Sequence, residues 1–284
     1  MGRVFSDLRT AGYGAAGHPE APFRVLRTFE RLRAAGHAPG LPPVSAKAED
    51  VALVHGEGHL KTIEDGTFSD ADTPPYPGMA EIALISLSGA LSAADAALSG
   101  EPAFSLMRPP GHHAGKDRVA GFCYLNNISI AVARIQKKKP GLKIGIVDFD
   151  VHHGDGTESI VSRRENTFFA SLHQWPLYPG TGKESRDNCL NVPLPEGTNG
   201  DQYLRAFEPA LEAVLASKPE LIAVSAGFDA YKDDPIAGLK LDRETFRRIG
   251  SLLAGTKLPR FAVLEGGYSE DLPKLVENFL DGFF

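Results

Sequence analysis

The sequence predicts an α/β fold in which one parallel sheet lies between two layers of helices. Three observations carry this. Short apolar segments rich in β-branched residues alternate with helix-length segments along the chain, the pattern of repeated strand–helix units. The strand candidates are apolar at nearly every position rather than alternating, as expected for strands covered on both faces. In five units the polar residues follow directly on the strand, as His112/His113, Asp150/His152, His173, Asp229 and Tyr268. Ligands of open α/β sheets gather outside the carboxyl ends of the strands, so this distribution predicts a site at one sheet edge.

Each element rests on a local signal. HPEAPFR, His18 to Arg24, is proline-flanked and reads as a turn on composition. An amphipathic helix follows through Arg33, closed by Gly36. Val51 to His55 is a short strand or a turn of helix. His55 and His59 have the spacing of a helical metal pair, but the Gly-Glu-Gly between them weakens a helix, so both read as structural or surface histidines. Ser69 to Gly78, SDADTPPYPG, is a rigid polar loop. Met79 to Leu98 is a long helix with Ala and Leu on several faces, which predicts burial. Ala103 to Leu106 is a strand running into RPPGHHA. Gly121-Phe122-Cys123-Tyr124 opens a buried helix, Leu125 to Gln136, with Lys137 to Lys139 as its solvated end. The central strand starts at Ile144. Phe168 to Leu172 is a strand ending at His173. In the loop that follows, Trp175 and Tyr178 are either loop packing or pocket wall. Asp201 to Ala216 is a helix, Leu221 to Ser225 a strand ending in AGFDAYKDDP, and Asp242 to Ala254 a helix capped by Asp242. Phe261 to Leu264 is the last strand, ending in EGGY, and Glu270 to Leu280 the last helix.

Composition narrows the function classes. The 284 residues suit one large α/β domain or two modest ones, and 42% hydrophobic with 23% charged residues is ordinary for a soluble globular protein. A formal charge of -6 argues against nucleic-acid binding, which needs a basic face. Cys123 and Cys189 stand in unrelated contexts, so no disulfide framework is implied and a reducing compartment is expected. No run of 18 or more consecutive apolar residues appears, which predicts no membrane span and a soluble, cytoplasmic protein.

The stretch IGIVDFDVHHGDGT, Ile144 to Thr157, organises the chemistry. Side chains alternate along extended backbone, so Asp150 and His152 can face the same ion. Carboxylate and imidazole suit zinc or another divalent first-row metal, and a catalytic zinc site takes three protein ligands with one position open. Asp229, leaving its own strand, is the natural third. Such a zinc makes hydroxide available near neutral pH. A neighbouring histidine can shuttle the proton to a leaving amine. Asp148 and Asp155 are spare carboxylates that can orient two imidazoles. Tyr268, on a Gly-Gly hinge, can donate to the oxyanion of a tetrahedral intermediate. Together these describe hydrolysis of an amide. The G-x-S-x-G, P-loop and G-x-G-x-x-G patterns are absent.

RPPGHHA, GFCYLNN, DFDVHHGDGT, SLHQWPLYPGTG, AGFDAYKDDPIAGL and LEGGY occur in that order and span most of residues 18 to 284. In these blocks the chain resembles the zinc-dependent histone deacetylase superfamily, nearest its class II and bacterial deacetylase-like members. The resemblance implies the arginase/deacetylase fold, a single-domain α/β/α sandwich over residues 1–284 with a mostly parallel eight-stranded sheet. It implies one zinc ion on Asp150, His152 and Asp229, with iron as a possible replacement in the cell. It implies His113 as general base and acid, His112 as electrostatic support, Asp148 and Asp155 as their carboxylate partners, and Tyr268 as the residue that polarises the carbonyl. Phe122 and Tyr178 match the aromatic walls of an acyl-lysine tunnel, beside Gly121. Asp72 matches a rim carboxylate that clamps substrate backbone. Arg24 matches an arginine beneath the metal near an acetate exit, which replaces the turn reading of HPEAPFR. A structural potassium ion is implied around Asp148, Asp150, His152, Ser171 and Leu172. A second monovalent ion is left undecided, because Val161 to Thr167 departs from the family pattern.

The superfamily hydrolyses acyl-lysine in proteins and also acetylated polyamines. Polyamine specialists often carry an acidic gatekeeper where this chain has the apolar Ile236. A neutral acyl-lysine stem is therefore the expected substrate and an acetylated polyamine the alternative, with Glu20 or Glu57 the acids available to a cationic amine. Hydroxamates are the expected inhibitors. The lack of long insertions predicts an open tunnel mouth. An arginase-like two-manganese ureohydrolase shares the fold but not the His112/His113 and Tyr268 pattern. A non-catalytic acyl-group binder is the rival from another class, expected only if the base or Tyr268 were lost.

Overall fold

The structure is a computed structural model that describes residues 2–284. The elements in chain order are β1 (Arg3–Phe5), α1 (Phe23–Ala34), α2 (Ala48–Val51), α3 (His59–Asp65), α4 (Met79–Leu98), β2 (Ala103–Ser105), α5 (Asn127–Lys138), β3 (Ile144–Asp148), α6 (Asp155–Val161), β4 (Thr167–Gln174), β5 (Cys189–Leu194), α7 (Gly200–Ala216), β6 (Leu221–Ala226), α8 (Arg243–Gly255), β7 (Arg260–Leu264) and α9 (Leu272–Phe283). The seven strands form one parallel sheet in the order β1-β2-β7-β6-β3-β4-β5.

Alternating strand residues feed two cores, one on each face. Ile144 and Ile146 of β3, Leu221 and Ala223 of β6, and Phe261 and Val263 of β7 pack with α4 and α5. Val147, the β6 residues Ile222 and Val224, and the β7 residues Ala262 and Leu264 pack with α7, α8 and α9. This double burial explains the unbroken apolar runs of the sequence. By length and composition α4 could cross a membrane, but 61% of its most apolar window is buried inside the protein. Asp242 caps α8 by accepting from Thr245 N–H at 2.9 Å, as its position predicts.

Among the described residues the sheet has seven strands, not the eight that the resemblance implies. At the β1 edge a lone parallel bridge forms between Phe5 and Gly40, with Ser6 N–H donating to Gly40 O and Gly40 N–H to Val4 O. Pro42 and Pro43 follow almost at once and lack the N–H groups that would extend a ladder. The two strands that sequence reading does not find, β1 and β5, are the sheet's edges. One is three residues long, and the other carries Pro193 and alternates in burial. The short α6 also escapes, because its seven residues give too few turns for a periodic pattern.

One feature of the strand order places the site. From β3 the chain continues outward to β4 and β5, whereas from β6 it continues the other way to β7. The order reverses between β3 and β6, which pair from Ile144↔Leu221 to Asp148↔Ser225. A crevice opens outside the carboxyl ends at such a switch point. Asp150 leaves β3 there and Asp229 leaves β6.

Candidate active site

Asp150, His152 and Asp229 converge in the crevice. One ligand atom from each lies within 4.8 Å of the other two, and all three residues are buried. Val151 N–H donates to Asp229 Oδ1 at 2.9 Å, and Gly266 N–H to Asp150 Oδ2 at 2.7 Å. Asp229 Oδ2 sits 3.2 Å from His152 Nδ1, yet no hydrogen bond satisfies it. Two buried carboxylates with an orphaned oxygen and a single imidazole call for a cation. Burial opposes charge on His152, but the flanking Asp150 and Asp229 outweigh it and lift the imidazole to about 10. A proton at His152 and a metal ion therefore compete for the same charge-deficient place, and the donor set fits a divalent first-row metal. The backbone at Gly266 presses on this site: a Cβ there would come within 2.0 Å of Asp229 Oδ2 and 2.6 Å of Asp150 Oδ2.

The tandem histidines are set apart by their partners. His112 Nδ1 donates to Asp148 Oδ2 at 3.0 Å and His113 Nδ1 to Asp155 Oδ1 at 2.7 Å. Burial disfavours charge on both. At His112 the Asp150 and Asp148 carboxylates prevail and hold the imidazole well above its usual range. At His113 burial and the neighbouring His112 prevail over Asp155 and bring it down to about 4. One ring is thus kept charged and the other neutral, although their centroids are 4.0 Å apart.

A cavity of about 370 Å³ opens above these groups, lined by His113, His152, Phe122, Tyr178, Ile236 and Tyr268 among others. Its walls are apolar and its floor is polar. Phe122 crosses Tyr268 edge to face at 5.7 Å, and Tyr178 meets His113 at 5.0 Å. Gly121, at φ +56, allows the close approach, since a Cβ would sit 2.5 Å from His113 Cδ2. Asp72 lines the outer part, and its carbonyl lies 3.1 Å from His18 Nε2. Trp175 is not in the wall and carries Lys183 over its ring at 5.0 Å.

Arg24 is fully buried under the tyrosine loop. Its Nε donates to Gly267 O at 2.8 Å, its Nη2 to Glu265 O, and its Nη1 to Glu20 Oε1 at 2.9 Å. Glu20 also takes a two-pronged bond from Arg108, both distances 2.6 Å. It is therefore unavailable at the cavity mouth, against the expectation that it could greet a cationic amine. His55 and His59 stack at 4.2 Å with ring nitrogens engaged by Lys116 O, Asn126 N–H and Tyr124 O, so they are structural. His173 is likewise spent on Ser171 Oγ and Gly182 O, and it does not join the site.

The residues expected around potassium share one patch at the ends of β3 and β4, where Asp148 and Ser171 are register partners and Leu172 follows. Across Val161 to Thr167 the Asn188 amide donates to Val161 O at 2.9 Å and Thr167 O at 2.7 Å, so a neutral donor already occupies those carbonyls.

Three residues of the site escape sequence reading. Glu265 accepts from Gly111 N–H at 2.7 Å, His112 N–H at 3.1 Å and Ser225 Oγ at 3.0 Å, fixing the backbone of the tandem histidines. Arg118 pairs with Asp155 from the solvent side. His18 lines the cavity and packs on Phe122 at 4.8 Å. Their local signals are a glutamate after a strand, an arginine in a loop and a histidine in a turn, none of which is distinctive alone.

Residues 18–282 match the histone deacetylase domain. A protein of Archaeoglobus fulgidus named probable deacetylase is 39% identical, over 94% of this chain and 81% of its own length. The acetylpolyamine amidohydrolase of Mycoplana ramosa is 32% identical, over 97% of this chain and 96% of its own. A crystal structure of an acetylpolyamine aminohydrolase from Burkholderia pseudomallei superposes with a TM-score of 0.92 at 25% identity, covering 100% of this chain and 98% of that one.

Proposed function

Because the chain belongs to the histone deacetylase family of amidohydrolases, we propose that it removes acetyl or other short acyl groups from the side-chain amines of lysines in peptides or proteins. The family is metal-dependent; for this chain we assign one zinc ion, or iron in its place, to Asp150, His152 and Asp229. When bound, the ion supplies Lewis acidity that polarises an amide carbonyl and acidifies a water. We read residues 1–284 as one catalytic unit and assign a structural potassium ion to Asp148, Asp150, His152, Ser171 and Leu172.

The single observation that carries the reading is an apolar-walled cavity that ends on the carboxylate–imidazole cluster. A flexible amine stem lies between Phe122 and Tyr178 with Ile236 at the side, and Asp72 at the rim accepts from substrate N–H groups. Its acyl carbonyl meets the phenol of Tyr268, which donates a hydrogen bond that strengthens as the carbonyl oxygen gains charge. His113, neutral at working pH, takes a proton from the attacking water and returns it to the leaving amine, while Asp155 keeps its other nitrogen donating. His112, held charged by Asp148 and Asp150, lends positive potential without moving its proton. Arg24, under the tyrosine loop, borders the route by which the small carboxylate product leaves. Hydroxamates fit the same place, with an apolar stem for the walls and a chelating head for the ion.

The second reading, an acetylated polyamine as substrate, is favoured by the Asp72 carboxylate at the rim and by the names of two relatives. Rates measured side by side on acetyl-lysine peptides and acetylated polyamines, with the metal-loaded protein, decide between them. Higher kcat/KM on the peptides supports the first reading, and the reverse order replaces it. Hydrolysis of neither would leave the acyl-binding scaffold.

A further inference from the structure

Asp234 is a buried carboxylate that the reaction as derived does not use. Among the described residues no lysine or arginine pairs with it. Its oxygens instead accept from two backbone donors, Tyr268 N–H to Oδ2 at 2.8 Å and Ile236 N–H to Oδ1 at 3.1 Å. Burying a carboxylate with only neutral partners is costly, so the position has a purpose that an apolar residue would not serve.

Its two partners identify that purpose. Tyr268 follows Gly266 and Gly267, the latter at φ +120, so the chain before it has few side-chain anchors of its own. Arg24 holds the carbonyls of Glu265 and Gly267, leaving the Tyr268 N–H as the next free point of attachment. Ile236 belongs to a different loop, the one leaving β6 towards α8. Both Tyr268 and Ile236 line the cavity. One carboxylate therefore ties the phenol that meets the carbonyl to the wall that meets the stem.

We propose that Asp234 is a positioning residue, which sets the reach of the Tyr268 hydroxyl by locking the tyrosine loop to the loop of Ile236. This rests on Tyr268 acting on the carbonyl as proposed above. In Asp234→Asn one oxygen is replaced by an amide nitrogen, which cannot accept from either N–H, so either the tie to the tyrosine loop is lost or the brace from Ile236 that aims it is. Displacing a catalytic group by about 1 Å can cost on the order of a hundredfold in rate.

The test is a double-mutant cycle on the metal-loaded protein, with kcat, KM and Tm measured for wild type, Asp234→Asn, Tyr268→Phe and the double variant. Asp234→Asn is expected to lower kcat about tenfold or more, with KM within about twofold. In the Tyr268→Phe background the same change is expected to lower kcat by less than about twofold, while shifting Tm as it does in wild type. Equal kcat losses in both backgrounds would overturn the positioning role and leave Tyr268 untouched. A Tyr268→Phe enzyme that turns over normally would overturn both this role and the one assigned to Tyr268. Should Asp234→Asn not be recovered folded, Asp234→Glu enters the same cycle. It keeps both acceptors but displaces them by a methylene, and the same non-additivity is expected.

Discussion

At the scale of single residues, the site works by giving similar groups dissimilar surroundings. His112 and His113 are neighbours in sequence, yet two carboxylates hold one charged, while burial and its charged neighbour keep the other neutral. His113→Ala and Tyr268→Phe are each expected to lower turnover at least about tenfold, with far-UV circular dichroism and Tm near wild type. Normal hydrolysis by both variants would show that the roles are misassigned. Gly266 makes a second case, because its missing side chain is what leaves room for the Asp150 and Asp229 carboxylates. Gly266→Ala is expected to bind less than one equivalent of divalent metal by elemental analysis after dialysis against buffer that leaves wild type fully loaded.

At the scale of elements, the decisive contact is between the start of α1 and the loop after β7. Glu20 neutralises two arginines at once, Arg24 and Arg108, with all three side chains almost wholly buried. Burial pushes the Glu20 carboxyl up, but Arg108 and Arg24 prevail and hold it at about 2, against 4.5 when unperturbed. A depressed carboxylate contributes stability that is complete above its unfolded value and disappears as pH falls through its folded value. Glu20 therefore supports the fold fully above about pH 4.5 and ceases to do so near pH 2. Glu20→Ala leaves two buried guanidinium groups unpaired and is expected to cost about 3–5 kcal/mol in urea unfolding at pH 7. Glu20→Gln should flatten the loss of stability between pH 4.5 and 2; an unchanged acid slope would mean that another group carries it.

At the scale of the whole molecule, the sheet presents its chemistry along one edge and its apolar surface to both faces. The Asp150 and Asp229 carboxylates belong to segments 79 residues apart, and the strands they follow pair where the strand order reverses. Their mutual repulsion is a strain that a cation would relieve, and because the cluster is assembled only on folding, the proposed ion would stabilise the folded state. Treatment with a chelator is expected to lower Tm, and one equivalent of zinc to restore it. A Tm indifferent to both would speak against a metal at this cluster.

Much of this was legible without coordinates, for stateable reasons. Double burial leaves unbroken apolar runs, so β2, β3, β4, β6 and β7 could be read. Ligands collect at strand ends, so His112, His113, Asp148, Asp150, Asp155, Asp229 and Tyr268 could be named from position and from the resemblance. The edge strands β1 and β5 could not, because an edge position leaves short or alternating segments with little periodic signal. That β1 gains no ladder beyond the Gly40 bridge depends on prolines that only matter once that bridge forms. Glu20, Asp234, Glu265 and Arg118 carry no local signature, since each acts on a backbone or side chain far along the sequence. The order of the residues thus determined the kind of fold and the kind of chemistry, because periodicity and ligand type are local properties. Which buried charges face one another was decided only in three dimensions, because the partners of a desolvated group are chosen by packing across the sheet.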